Sequence, residues 1–154
     1  GKGQHYDTCS RVPLVVRYPE RINAQVRQEI IEHVDEAPTV LDWCGVQVPP
    51  FMQGKSFRSL LEKGRGTYVP RDSAFIECRH PFAGAYKAVR TPEFLYSMAN
   101  DGSEALFDLN ADPHQLSNVA MNPDCREALH QMRGLMLQRW FEVESQYPKC
   151  SGQY

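Results

Sequence analysis

Several things are scarce or missing in this sequence, and each absence narrows its role. No apolar run approaches the ~20 residues that a helix needs to cross a membrane, and the first residues lack the charged-then-apolar build of a signal peptide. The chain is therefore expected neither to span a membrane nor to carry its own export address. Strong charge is missing too: the formal net charge is -2, so the basic face that nucleic acid requires is not expected. The five cysteines, Cys9, Cys44, Cys78, Cys125 and Cys150, form no Cys-x-x-Cys pair, which argues against a zinc site or a thioredoxin-type motif. An odd count leaves at least one thiol unpaired, and whether Cys125 and Cys150 bridge depends on the compartment. Neither a G-x-x-x-x-G-K-[ST] nor a G-x-G-x-x-G loop occurs, and no internal repeat or low-complexity tract appears.

What is present is the composition of an ordinary globular protein. At 154 residues, 42% hydrophobic and 23% charged, the chain can bury a real core without disulfide or metal staples. Val12-Pro13-Leu14-Val15-Val16-Arg17-Tyr18 is short, apolar and rich in β-branched residues, which suits a strand buried on both faces of a largely parallel sheet. Only eleven residues precede it, too few for a βαβ unit, so the N-terminus looks cut. A strand stripped of its neighbours invites aggregation, and the isolated chain is expected to be poorly soluble.

Further along, Asp35 stands as an N-cap candidate before Ala37, Val40, Leu41 and Cys44, with Pro38 in the first turn and Gly45 as the stop; the spacing predicts a helix. Pro49-Pro50 breaks the chain, and a short amphipathic turn over residues 56–61 leads into a glycine-bearing loop. The second half reads as four short strands, 74–78, 85–90, 93–98 and 105–109, with Asn100-Asp101-Gly102 as a hairpin turn. Leu129, Met132, Met136, Trp140 and Val143 share one face of a helix predicted over about 124–144, which would cover the small sheet.

The chemistry-bearing candidates are few. Lys2 stands in a glycine-flexible loop before the first apolar run, a place where α/β proteins hold ligands. Four blocks then carry more information together than singly. They are K-G-Q-H-Y-D-T-C-S-R-V-P from Lys2 to Pro13, V-D-E-A-P-T-V-L-D-W-C-G from Val34 to Gly45, and Gln53-Gly54-Lys55-Ser56 followed by Leu60-Leu61. The fourth is Ala88-Val89-Arg90-Thr91 with the run from Leu106 to Ala120, L-F-D-L-N-A-D-P-H-Q-L-S-N-V-A.

In that order, these blocks resemble the type I, formylglycine-dependent sulfatases of the alkaline phosphatase superfamily. The resemblance implies an α/β fold: residues 1–48 as the end of the catalytic sheet domain, whose N-terminal part is missing, and 49–154 as the C-terminal subdomain, a small antiparallel sheet with a C-terminal helix. It implies that Lys2 is similar to the lysine that contacts the substrate sulfate, where a fixed cation stabilises charge developing in the transition state. By the same resemblance Tyr6, Asp7 and Arg11 fix this loop on the sheet, and Asp112 and Asn118 serve turns and caps. Arg79 and His80 are candidates for the substrate rim, because the family's C-terminal subdomain leans over the active-site mouth.

The resemblance also implies calcium and a formylglycine nucleophile in the intact protein. Neither has its residues here: no Cys/Ser-x-Pro-x-Arg motif occurs, the family's paired aspartates are absent, and no carboxylate cluster offers the roughly six oxygens a hard cation wants. The expectation is thus a segment of a sulfuric ester hydrolase acting on a sulfated small molecule or saccharide, inactive alone. A phosphonate or phosphate ester hydrolase of the same superfamily and a non-catalytic binding or interaction domain are the alternatives. A periplasmic, secreted or lysosomal setting is implied by the resemblance only.

Overall fold

The computed structural model describes residues 4–64, 66–80 and 84–145. The chain divides into two compact units, one made by the segment up to Val15 together with Asp72–Trp140, the other by Val16–Arg71 and the chain beyond Trp140.

The first unit is built on a four-stranded antiparallel meander in the order β1-β2-β3-β4: β1 Ala74–His80, β2 Gly84–Arg90, β3 Phe94–Ala99 and β4 Glu104–Asp108. Alternation of side chains sorts the strands into two faces. On one face Val89, Tyr96 and Leu106, all fully buried, meet Leu129, Met132 and Met136 of a long helix. That helix, Arg126–Ser145, follows a 3₁₀ turn, Pro123–Cys125, capped by the Asn122 side chain on Asp124 N–H. Each buried Leu or Met is worth roughly 1.5–3 kcal/mol, enough to fix the helix on the sheet. On the other face Ala88, Leu95 and Phe107 form a second cluster, joined by Tyr6, Ile76 and Tyr86. The β3–β4 turn has Gly102 at φ +84°, a left-handed conformation that glycine adopts without a Cβ clash. Strand limits shift by only one or two residues from those expected.

Beyond β4, the expected turn residues do their work. Asp112 Oδ2 accepts from Leu116 and Ser117 N–H at 2.7 and 2.8 Å. Asn118 Oδ1 accepts from Leu106 and Ala120 N–H at 2.9 and 3.0 Å, while its Nδ2 donates to the Glu104 carbonyl at 3.0 Å.

In the second unit the helix expected after Asp35 is present as Glu36–Trp43, entered through a 3₁₀ turn, His33–Asp35. It ends as predicted: Gly45 N–H bonds the Asp42 carbonyl and Val46 N–H the Leu41 carbonyl. Asp35, however, does not cap it, because its carboxylate is engaged elsewhere. That group, 1% exposed, accepts from Glu32 N–H at 2.9 Å and Lys55 N–H at 2.7 Å and is paired with Arg71. Thr39 Oγ1 donates to the Asp35 carbonyl at 2.6 Å and accepts from Phe57 N–H at 3.0 Å. Ser56 Oγ donates to Asp42 Oδ2 at 2.6 Å, leading into the short helix Arg58–Leu61. Trp43 lies edge-on to Tyr18 and Phe57 and donates from Nε1 to Glu62 at 2.8 Å.

A second expectation changes. Residues 11–18 form no strand and no bridge, and Val12, Leu14 and Val15 are exposed by 51%, 48% and 89%. A strand exists only as a partner's hydrogen-bonding mate, and no described segment supplies one.

Candidate functional site

The loop that follows Lys2 is held on the second face of the sheet. Tyr6 contributes its ring to the Phe107 cluster, 5.6 Å between centroids. Its carbonyl accepts from Cys9 N–H at 2.8 Å and Ser10 N–H at 3.1 Å, shaping the single helical turn Asp7–Ser10. Asp7 is then gripped twice. Arg90 Nε, near the end of β2, donates to both carboxylate oxygens at 3.0 and 3.2 Å. The Asp7 N–H donates to Gln115 Oε1 at 2.9 Å. Gln115 is 5% exposed and is the one described non-glycine residue with a positive φ, at +57°.

Beside this anchor, His5 is inserted among aromatic rings, at 4.5 Å from Tyr6, 5.7 Å from Tyr86 and 5.8 Å from Phe107. Burial lowers its pKa below the ordinary imidazole value, and its Nε2 is buried with no hydrogen-bond partner among the described residues. Burial, then the neighbouring Cys78, pushes the Tyr86 phenol up to about 12, so it stays protonated. These two side chains, with Gln4, Ser97, Asn100 and Glu104, border a cavity of about 370 Å³. The Tyr86 phenol and the His5 imidazole stand on this wall beside the Glu104 carboxylate.

The candidate residues fare differently. Lys2 lies outside the described residues. Arg79 sits on β1 with its side chain 81% exposed, 3.4 Å from Glu77. His80 ends β1 opposite Gly84, and its side chain is not described. Arg11 is exposed, and Asp7 and Tyr6 hold the loop. Among the described residues Cys9, Cys44, Cys78 and Cys125 form no disulfide with one another, and Cys150 lies outside them. Among the described residues, no group of three or more His, Cys, Asp or Glu could hold a metal ion, so the donor set does not fit calcium.

Arg90 and Gln115 were legible only as parts of a motif. They stand 83 and 108 residues from Asp7, so local pattern gave no sign that they meet it. The first and fourth sequence blocks thus meet at Asp7. The second and third meet at Asp35.

The blocks are shared with known proteins. Residues 2–141 match the family described as N-sulphoglucosamine sulphohydrolase, C-terminal. The chain belongs to that family. It is a C-terminal sulfatase segment of the alkaline-phosphatase-like superfamily. It is 36% identical over 122 residues to an N-acetylglucosamine-6-O-sulfatase of Bacteroides thetaiotaomicron, covering 74% of this chain and 22% of that protein. To an arylsulfatase of Clostridium perfringens it is 28% identical over 143 residues, covering 88% and 29%. A sulfatase-like fold is equally clear in three dimensions. A solved protein in complex with its substrate D-glucosamine-2-N,6-O-disulfate superposes with a TM-score of 0.81 at 26% identity, over 99% of this chain and 32% of that one. The sulfatase segment therefore spans about a fifth to a third of the length of these relatives.

Proposed function

We propose that the intact protein hydrolyses sulfate esters of a sulfated saccharide, an amino sugar before others, and that this segment supplies Lys2 and part of the pocket wall. The observation that carries it is the likeness of nearly the whole segment to a protein bound to a disulfated glucosamine. A relative's name supports the same sugar class, since an N-acetylglucosamine-6-O-sulfatase is 36% identical over 122 residues.

In this reading Lys2 offers a fixed cation to oxygens whose negative charge grows as the S–O bond breaks, which lowers the barrier more than it strengthens substrate binding. The cavity bordered by Tyr86 meets sugar hydroxyls, and Arg79 and His80 belong to the rim. The family generally uses calcium and formylglycine; both would come from the part of the protein that this segment does not contain, and the segment alone is inactive. Residues 1–48 complete the catalytic domain, and 49–154 form the subdomain that closes on it.

A second reading has one specific support. A phosphonate monoester hydrolase of Agrobacterium radiobacter superposes with a TM-score of 0.65 at 25% identity, over 75% of this chain and 26% of that one. The experiment is to assay the intact protein with glucosamine 6-sulfate, an aryl sulfate and an aryl phosphonate monoester. Sulfate release from the sugar, abolished by Lys2→Ala, is the expected result. Faster phosphonate cleavage moves the function to the second reading, and no turnover of any ester removes both.

A further inference from the structure

We infer that Arg90 and Gln115 are positioning residues for Lys2: they clamp Asp7 and so fix the point from which the lysine loop leaves the sheet. The inference rests on the sulfatase reading and names what in this chain holds the loop.

The geometry of the clamp is that of a positioning device. Asp7 is held by its side chain and its main chain at once, through Arg90 Nε and through Gln115 Oε1. Two attachments on different atoms remove both translation and rotation of the turn, where one would leave it free to swivel. Arg90 is itself steadied by donating from Nη1 to the Thr91 carbonyl at 3.1 Å. The ion pair is shielded as well, with side chains 20% and 17% exposed, so salt screens it less than a surface pair.

Gln115 carries the second, independent observation. It keeps a left-handed backbone conformation with a side chain 5% exposed, and its Nε2 is buried with no partner among the described residues. Both features disfavour folding, and a residue kept in such a state points to a role beyond packing. Among the described residues, the hydrogen bond its side-chain amide makes is the acceptance from Asp7 N–H. The neighbouring Tyr6 and His5 rings, set into the Phe107 cluster, complete the seat. Lys2 stands five residues before Asp7 in the sequence.

The test is a kinetic double-mutant cycle in the intact enzyme on glucosamine 6-sulfate. Arg90→Ala should lower kcat about tenfold or more while KM changes less than threefold, and Arg90→Lys should recover part of it. In a Lys2→Ala background, Arg90→Ala should cost almost nothing further, because a residue acting through the lysine has nothing left to position. Gln115→Glu keeps the acceptor and should stay near wild type, whereas Gln115→Gly relieves the backbone, removes the acceptor and should lower kcat. Losses from Lys2→Ala and Arg90→Ala that multiply overturn the inference, as does an Arg90→Ala enzyme with unchanged kcat. If Arg90→Ala does not fold, Asp7→Asn in the same cycle decides by the same criteria. A wild-type protein inactive on every sulfate ester instead sinks the sulfatase reading, and the clamp's assignment with it.

Discussion

The Cα of Gly54 lies so close to Val34 that a Cβ built on it would sit 1.8 Å from the Val34 carbonyl oxygen. Two motifs twenty residues apart are thereby pressed together: Lys55 N–H, next in the chain, bonds the Asp35 carboxylate, which follows Val34.

Gly54→Ala is therefore expected to destabilise the protein, since backbone on both sides must separate. Overpacking of this kind costs ~1–3 kcal/mol, with additional loss if the Asp35–Lys55 bond breaks. Urea unfolding of the intact protein measures it, and an unchanged midpoint would mean that the two segments are not in close contact.

Asp35 answers a separate question, whether its buried charge is needed. Arg71, 6% exposed at the side chain, faces Asp35 and, at 3.3 Å, Glu32. Asp35→Ala leaves that guanidinium with Glu32 as its acidic partner among the described residues and strips the Lys55 and Glu32 N–H groups of their acceptor. Removal of one partner from a buried pair costs roughly 3–5 kcal/mol. Thermal denaturation should show a large fall, and the Asp35→Ala/Arg71→Met double variant should regain part of it; a double variant no better than the single one contradicts the pairing.

Arg79 should behave in the opposite way. Its exposed side chain and a 3.4 Å contact to Glu77 are worth little, so Arg79→Ala should change stability by less than ~0.5 kcal/mol. If Arg79 stands at the proposed substrate rim, Arg79→Ala should raise KM for the sulfated sugar with kcat little changed. An unaltered KM removes it from the rim.

Two groups should imprint themselves on the pH dependence of stability. Hydrogen bonds from Arg133 hold Glu104 below the ordinary carboxylate range, against burial and with help from Tyr96. Its unfolded form takes up the proton first on acidification. The contribution is thus present above the unfolded pKa, about 4.3, and lost as pH falls through the folded value. His5 is lowered by burial from 6.5, so here too the unfolded state is protonated first, and stability declines as pH drops below about 6.5. In urea midpoints taken from pH 8 to 4, His5→Gln should flatten the upper slope and Arg133→Met the lower one. A His5→Gln curve parallel to wild type throughout would show that the imidazole does not titrate in a buried site.

Much of this architecture was legible from short-range pattern. Short runs bounded by turn residues gave β2, β3 and β4 to within a residue, Asn100-Asp101-Gly102 marked the hairpin between β3 and β4, and Leu129, Met132 and Met136 declared the buried face of the last helix. Such features are encoded by residues a few positions apart, whose side-chain directions follow from strand and helix geometry. The four motif blocks carried the sulfatase resemblance, and Asp112 and Asn118 took the turn and capping roles that it implied.

Tertiary structure alone decided the rest. Asp35 has the sequence context of an N-cap, yet its carboxylate is drawn to Lys55 and Arg71, because a buried charge is stabilised most by an opposite charge and several donors. Val12 to Tyr18 has the composition of a buried strand, yet strand formation belongs to a pair of segments and composition describes only one. The clamp on Asp7 joins residues 83 and 108 positions away: no periodicity spans that distance, and only the folded meander brings Arg90 and Gln115 to the same loop.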